Sequence, residues 1–464
     1  MPSPRKKELS KRTTNRLWFV GCSLALTAAF HFCYAEYLAD LWYYFGFNPI
    51  TAEWHIIALT YLIAVAPSLW MPCEFKRPSL VLYWSVYAIT YIPSILVLTF
   101  AVSDGESPRY ALQAALFASM QIIGLCYWLP AIRIRKKHLT VPSFLTIVLL
   151  CSASLIGVLV LTYGVSFSLA PLSDPYGARS AASVAGGSLV GYASAWIPPI
   201  VIGLLMSLGY VRKNWMLVTA GIAVSIYLYM AVASRGHLTP IVIAAAVFLA
   251  ALINRNKIGT FMMGGCALLI VLLTLSYSGW NDETLTNTQG LSSVMLAQFI
   301  VLFRTFGNTG LLTLKYDDFA ATEGYTYWSH VRGIDAFVDY PFNEPLSREV
   351  GLHTYGSFDN NAVAHMFAYD GIAAAGIDGV LVVGVICMLV FWFIDSVSAR
   401  LDKVFTAIFI CYYISMLNNT GLFTTLIGHG LVIQILVLYY MPRKLAPEKD
   451  GNKLALAQNS VADT

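Results

Sequence analysis

Residues 358–400 read FDNNAVAHMFAYDGIAAAGIDGVLVVGVICMLVFWFIDSVSAR. The stretch opens polar, with Asp359, Asn360, Asn361 and His365, and turns apolar through 372–394. A helix needs roughly 20 apolar residues to cross the hydrocarbon of a bilayer, so 372–394 is long enough to span. Comparable runs lie at 17–35, 54–70, 80–102, 110–132, 144–163, 188–210, 215–233, 238–253 and 260–277. Two more, 404–417 and 422–440, are short. A further stretch, 292–303, is too short to span and reads as interfacial or re-entrant. The pattern predicts an all-α, polytopic membrane protein of about 12 transmembrane helices.

Composition agrees. Of 464 residues, 58% are hydrophobic and 12% charged, where a soluble domain carries about 25% charged residues. Such a chain cannot bury its apolar surface against itself, so lipid must be much of its solvent. The net charge of +4 says less than its placement. Cysteines 22, 33, 73, 126, 151, 266, 387 and 411 all fall in or beside apolar runs. That argues against a disulfide framework and a thiolate metal site. The basic start (Arg5, Lys6, Lys7, Lys11, Arg12, Arg16) precedes a run with no small-residue cleavage site, which reads as a retained first helix.

Lysine and arginine asymmetry sets the orientation. With the N-terminus inside, one side collects Lys76/Arg77, Arg133/Arg135/Lys136/Lys137, Arg212/Lys213, Arg255/Lys257, Arg400/Lys403 and the tail cations. Both termini are then cytoplasmic. The expected organisation is a basic tail (1–16), helices one to nine (17–277) with an outer loop at 164–187, a large outer loop (278–370), helices ten to twelve (371–441) and a cytoplasmic tail (442–464). The large loop is too long to lack structure and too aromatic to be disordered, so short helices packed on the membrane surface are expected.

The outside is left with Arg109, Arg179, Arg235, Arg304, Lys315, Arg332 and Arg348, cations that the inside-positive rule disfavours. Arg235 sits between two spans with almost no loop, in Ser234-Arg-Gly236, with Pro240 following. An ionisable group at such a depth points to function, and a guanidinium offers a rigid fork of donors suited to phosphate oxygens. The bland alternative is an arginine snorkelling to headgroups. Arg304 and Arg179 would also sit at the water boundary, where structural ion pairs compete with a site role. His365 lies where the long loop returns to the membrane, one helical turn beyond Asn360 and Asn361. It could act as a base or orient a phosphate, although a lone histidine near an apolar face is usually structural. Asp378 lies inside the tenth span, and Asp317 and Asp318 follow Lys315-Tyr316 as candidate acid/base groups. Phosphate-binding glycine loops, zinc spacing and a serine elbow are lacking, and the cytoplasmic loops are too short to house a nucleotide-driven enzyme.

No nucleotide sugar is available outside, so a transferase there needs a donor carrying its own activation. A lipid diphosphate fits, with arginines stabilising the departing charge without a metal. Aromatic rings would face sugars, and carboxylates and amides would take their hydroxyls.

The chain resembles the O-antigen polymerase family of bacterial oligosaccharide repeat-unit polymerases. Local matches are the outer segment with Arg179 followed by Gly191-Tyr192, the turn Ser234-Arg235-Gly236, and above all 359–379. The related O-antigen ligases keep a histidine, a gap and a glycine ending, as His365 does with Gly376 and Gly379. Met366 departs from the polar residue which the ligase pattern prefers. The resemblance implies a membrane-embedded, GT-C-like glycosyltransferase of the bacterial inner membrane, its active site facing the periplasm. It would move a growing glycan from undecaprenyl diphosphate to a new lipid-linked repeat unit, with no metal or cofactor and with a chain-length regulator as partner. On this reading Arg235, Arg179 and Arg304 hold the diphosphates, and His365 and Asp317 lie at the reacting centre. Asn360, Asn361, Tyr355, Arg332 and His353 contact substrate. Nucleic acid is not an expected partner. The rival readings are a ligase acting on lipid A core and a transporter or flippase of a polar lipid, which would favour broken helices and ionisable groups at mid-membrane.

Overall fold

The fold is carried by apolar helices wherever the sequence offers an unbroken apolar run. The computed structural model describes residues 4–102, 108–132, 134, 139–164, 187–232, 234–277 and 293–446, with residues 4–11 and 235 as backbone alone. In chain order the helices are α1 (Arg12–Leu41), α2 (Trp54–Leu69), α3 (Leu80–Phe100), α4 (Tyr110–Leu125), α5 (Val141–Tyr163), α6 (Gly187–Arg212) and α7 (Trp215–Val232). They continue with α8 (Thr239–Asn254), α9 (Ile258–Leu275), α10 (Ser293–Glu323), α11 (Leu346–Tyr355) and α12 (Phe367–Ser398). Last come α13 (Lys403–Ile410), α14 (Tyr412–Asn419), α15 (Leu422–Leu426) and α16 (Leu431–Tyr440).

Eight helical segments among the described residues are long and apolar enough to cross a membrane, and the chain is a polytopic, all-helical membrane protein. The apolar helices α2, α4 and α16 are shorter. One of the eight, Thr239–Leu275, has 37 residues, about 55 Å if straight against a hydrocarbon core of about 30 Å. It is interrupted at Asn254, whose φ of −158° and ψ of 105° are extended, and α8 and α9 then pack on each other.

The basic clusters gather at one end of the bundle, where they satisfy backbone carbonyls and buried carboxylates. Arg16 donates to the carbonyls of Ser68 and Met71, and Arg77 to that of Cys126 at 2.8 Å. Arg212 donates to the Leu445 carbonyl at 2.9 Å, and Arg255 to Asp402 at 2.6 Å. Asp395 accepts from the Ser79 amide and hydroxyl at 3.1 and 2.8 Å. Arg133, Arg135, Lys136 and Lys137 lie outside the described residues. The far end is tied by Tyr34 donating to the Asn48 carbonyl, Asn48 to that of Ala101, and Tyr277 to Asp40.

Residues 293–323 were expected within a loop of short surface helices, but they form the single helix α10, wound as a π-helix over Phe299–Gly307. Both its ends touch the far end. Gln298 donates to the Leu273 carbonyl at 3.1 Å, and Asp318 meets Arg109 at 3.1 Å. Its middle dips inward, where Thr313 meets Ser94 at 2.7 Å and bare Gly310 lies against Pro93 and Val97. α10 therefore lies along the far end as one continuous helix.

Other helices are broken. α12 contains Ala375 (φ −158°, ψ 29°) and Gly376 (φ 59°, ψ −131°), which separate a short first limb from a long second one. The limbs touch backbone to backbone: a Cβ on Gly379 would collide with the Gly371 carbonyl. The short final spans do not simply cross. The ten residues of α16 rise about 15 Å, half a bilayer core. α14 ends at extended Thr420 (φ −143°), and α16 starts from left-handed Gly430 (φ 74°). Between them, residues 420–430 form the tip of a hairpin. That tip lies deep: Asn418, just before it, bonds Thr90, midway along the enclosed helix α3.

Candidate functional site

Backbone that is not helical at membrane depth is tolerated only inside protein or along a water-filled cavity, because lipid cannot hydrogen-bond it. The tip 420–430 and the break in α12 both raise this demand, and they meet at one carboxylate. Asp370, on the first limb of α12, accepts the Phe423 amide of the tip at 2.9 Å through Oδ2. Its Oδ1 lies 3.4 Å from His330 Nε2. Gly421 is bare at this point of closest approach, since a Cβ there would stand 2.7 Å from Asp370 Oδ1.

The segment after α10 closes over the break. The kink at Ala375–Gly376 releases carbonyls of the first limb, and the amides of Thr326 and Tyr327 donate to Ala373 and Ala374 at 2.9 Å each. To do so Tyr327 (φ 46°) and Trp328 (φ 62°) adopt left-handed backbone, at about 1–2 kcal/mol per residue. Thr326 Oγ1 lies 2.7 Å from His330 Nδ1, so threonine, histidine and aspartate form a buried chain.

An aromatic wall leads from this centre to the far end. Arg332 is exposed and donates to the Tyr192 hydroxyl at 2.9 Å. The Tyr192 ring lies 5.5 Å from that of Trp196, whose Nε1 donates to the Gly428 carbonyl of the tip at 3.1 Å. Asn419 and Thr424 are exposed beside the tip. The arrangement is a row of contacting side chains, with the Arg332 guanidinium at its exposed end, Tyr192 and Trp196 along it, and the amide and hydroxyl groups of the hairpin tip at its inner end.

The predicted site residues fall into separate groups. Arg332 is the one that belongs to this row of contacts. Arg304 is exposed on α10, and its charge acts on Tyr355, whose phenol burial nevertheless pushes up to about 12. The Tyr355 ring contacts Phe45 at 5.2 Å, within an aromatic cluster where Trp42 stacks on Phe303 at 4.1 Å. His353, on α11 with Tyr355, lies 3.7 Å from Glu323, and Asn360 and Asn361 are exposed just beyond that helix. Asp317 pairs with Arg109 at 3.6 Å, as does Asp318 at 3.1 Å. His365 is enclosed, 1% exposed, with Nε2 2.9 Å from Thr313 Oγ1 and Nδ1 unpartnered. Burial lowers its pKa to about 3, so the ring is neutral. Arg235 opens the short turn Arg235–His237, described by backbone only, and Arg179 lies outside the described residues. Asp378 is exposed just past the kink.

Sequence reasoning did not single out His330, Asp370, Tyr192 or Trp196 as site residues. Asp370-Gly371 at the head of an apolar run was the available signal. A separate cavity of about 520 Å³ lies at the far end against Glu36, Asp40 and Tyr277, and none of the predicted residues lines it. Among the described residues no group of three or more His, Cys, Asp or Glu side chains is placed to hold a metal. No protein-family model, curated protein or solved structure matches the chain.

Proposed function

We propose that the chain polymerises lipid-linked oligosaccharide repeat units on the periplasmic face of the bacterial inner membrane. The observation that carries the reading is the row of cationic, aromatic and polar side chains that begins at Arg332. It runs from exposed Arg332 past Tyr192 and Trp196 to a polar tip at mid-membrane depth. A polyprenyl diphosphate needs such a place, with cationic donors near water for its phosphates and lipid within reach for its tail. Aromatic rings suit sugar faces.

In the reaction the acceptor hydroxyl oxygen attacks the anomeric carbon of the donor glycan. The bond from that carbon to the diphosphate oxygen breaks, and undecaprenyl diphosphate leaves with the electron pair. The hydroxyl proton passes to a carboxylate, the role assigned to Asp317. Arg332 and Arg235 are assigned to the departing charge. Tyr355, His353, Asn360 and Asn361 face the sugars. His365, neutral and enclosed, orients its segment through Thr313. The reading needs no metal or cofactor and admits a chain-length regulator as partner.

A transporter of a polar lipid is the second reading. The broken helix α12, the hairpin tip and buried Asp370 favour it, because discontinuous helices around an ionisable group at mid-membrane suit alternating access.

Complementation of a polymerase-deficient strain, with surface glycan read on a gel, tests both. Wild type should give a ladder that Arg332→Ala and Arg235→Ala lose at matched membrane levels. Full ladders from both variants would overturn the arginine assignment. No ladder from wild type, with single lipid-linked repeats trapped on the inner face, would favour transport.

A further inference from the structure

At the basic end, α1 and the α2–α3 connection border an open cavity of about 360 Å³. This is within the range of small-ligand sites, about 300–1,000 Å³. Arg12, Arg16 and Leu17 line it from α1, and Glu74 and Lys76 from the connection. Arg16 is held in place by the carbonyls of Ser68 and Met71. Glu74, the carboxylate in the lining, is engaged by Asn15 at 3.3 Å and by Lys76 at 3.4 Å. The lining thus sets three cations, Arg12, Arg16 and Lys76, beside one carboxylate. Directly along α1 the surface turns apolar: Leu17 is 66% and Trp18 60% exposed. A tryptophan at this boundary marks the level of lipid headgroups.

We propose that this cavity binds the phosphate headgroup of an anionic phospholipid, whose acyl chains run along Leu17 and Trp18. Basic pockets between helices at a membrane surface suit such headgroups. The adjoining apolar strip is what favours a lipid over a soluble anion, which would gain nothing from it. The site is independent of the proposed polymerase reaction.

The test uses the full chain in phosphatidylcholine nanodiscs with or without phosphatidylglycerol. Lipid retained after detergent release is read by native mass spectrometry, beside thermal unfolding. Wild type should retain phosphatidylglycerol and melt higher in its presence. The double variant Arg12→Gln/Lys76→Gln should retain at least about tenfold less, since each such charge is worth about 1 kcal/mol. Arg12→Lys/Lys76→Arg, which keeps both charges, should retain it and so shows that the first variant did not merely misfold. Equal retention by the glutamine variant overturns the site. Equal stabilisation of wild type by inorganic phosphate without anionic lipid overturns the lipid as ligand.

Discussion

His330 Nε2 lies 3.4 Å from Asp370 Oδ1, and neither side chain is more than 2% exposed. The pair joins the segment beyond α10 to the first limb of α12, and Asp370 extends the tie to Phe423 in the hairpin tip. Asp370→Ala removes an acceptor from both partners. Leaving a buried donor unsatisfied costs about 1–3 kcal/mol for each of the two. Detergent-solubilised Asp370→Ala should melt well below wild type by fluorescence-detected size exclusion. Asp370→Asn, which can still accept the Phe423 amide, should lose roughly 1–3 kcal/mol. Wild-type melting in the alanine variant would show that the pair does not hold the tip.

Backbone crossing at the α12 break gives a sharper expectation. A Cβ on Gly379 would collide with the Gly371 carbonyl, which no side-chain rotation can relieve. Gly376→Ala faces left-handed strain (φ 59°) of about 1–2 kcal/mol and the Tyr325 hydroxyl at 2.8 Å. Gly379→Ala should therefore fail to accumulate in membranes. Gly376→Ala should accumulate at reduced level and gain in part from added Tyr325→Phe, which removes the nearest atom but leaves a ring carbon at 3.1 Å and the strain. Comparable levels of both glycine variants would contradict this ranking.

Asp317 and Asp318 share Arg109 at 3.6 and 3.1 Å, and all of these side chains are about one-third exposed. An exposed pair of this kind contributes about 0–1 kcal/mol, so neither Asp→Asn change should alter membrane level. If Asp317 takes the acceptor proton, Asp317→Asn should lower polymer output about 100-fold or more, while Asp318→Asn stays near wild type. Equal ladders from both variants would remove Asp317 from the chemistry.

The pH response follows from His365. Its folded pKa, lowered by burial to about 3, stands below the ordinary value of 6.5. The folded protein holds the ring neutral while the unfolded chain takes up a proton, so its contribution is full above 6.5 and is lost as pH falls toward 3. The slope is at most about 1.4 kcal/mol per pH unit. Melting temperature of wild type should fall relative to His365→Gln as pH drops below 6.5, and the two should run parallel above it. Parallel curves at every pH would show the ring to be solvated.

The apolar runs carried much of the fold. The helices α1, α3, α5, α6 and α7 lie where the hydropathy of 17–35, 80–102, 144–163, 188–210 and 215–233 puts them. The breaks were not legible, because hydropathy averages over them. Gly376 is one glycine among several in its run, and 422–440 reads as one apolar stretch although Gly430 turns it. α10 was half visible: 292–303 showed its apolar start, but Lys315, Asp317 and Asp318 disguised the rest as loop. The buried pair was hidden for another reason. His330 and Asp370 are 40 residues apart, and only tertiary packing brings them together.

The hairpin tip also bears on how the chain is made. As it leaves the ribosome, 422–440 presents a continuous apolar segment that the insertion machinery can release as a straight helix. The tip at 420–430 acquires its partners only when α6 and α12 are already in place to offer Trp196 and Asp370. Bending of the last helix is thus a late assembly event. A nascent protein truncated before α15 would be membrane-inserted yet leave Trp196 and Asp370 without their partners in the tip.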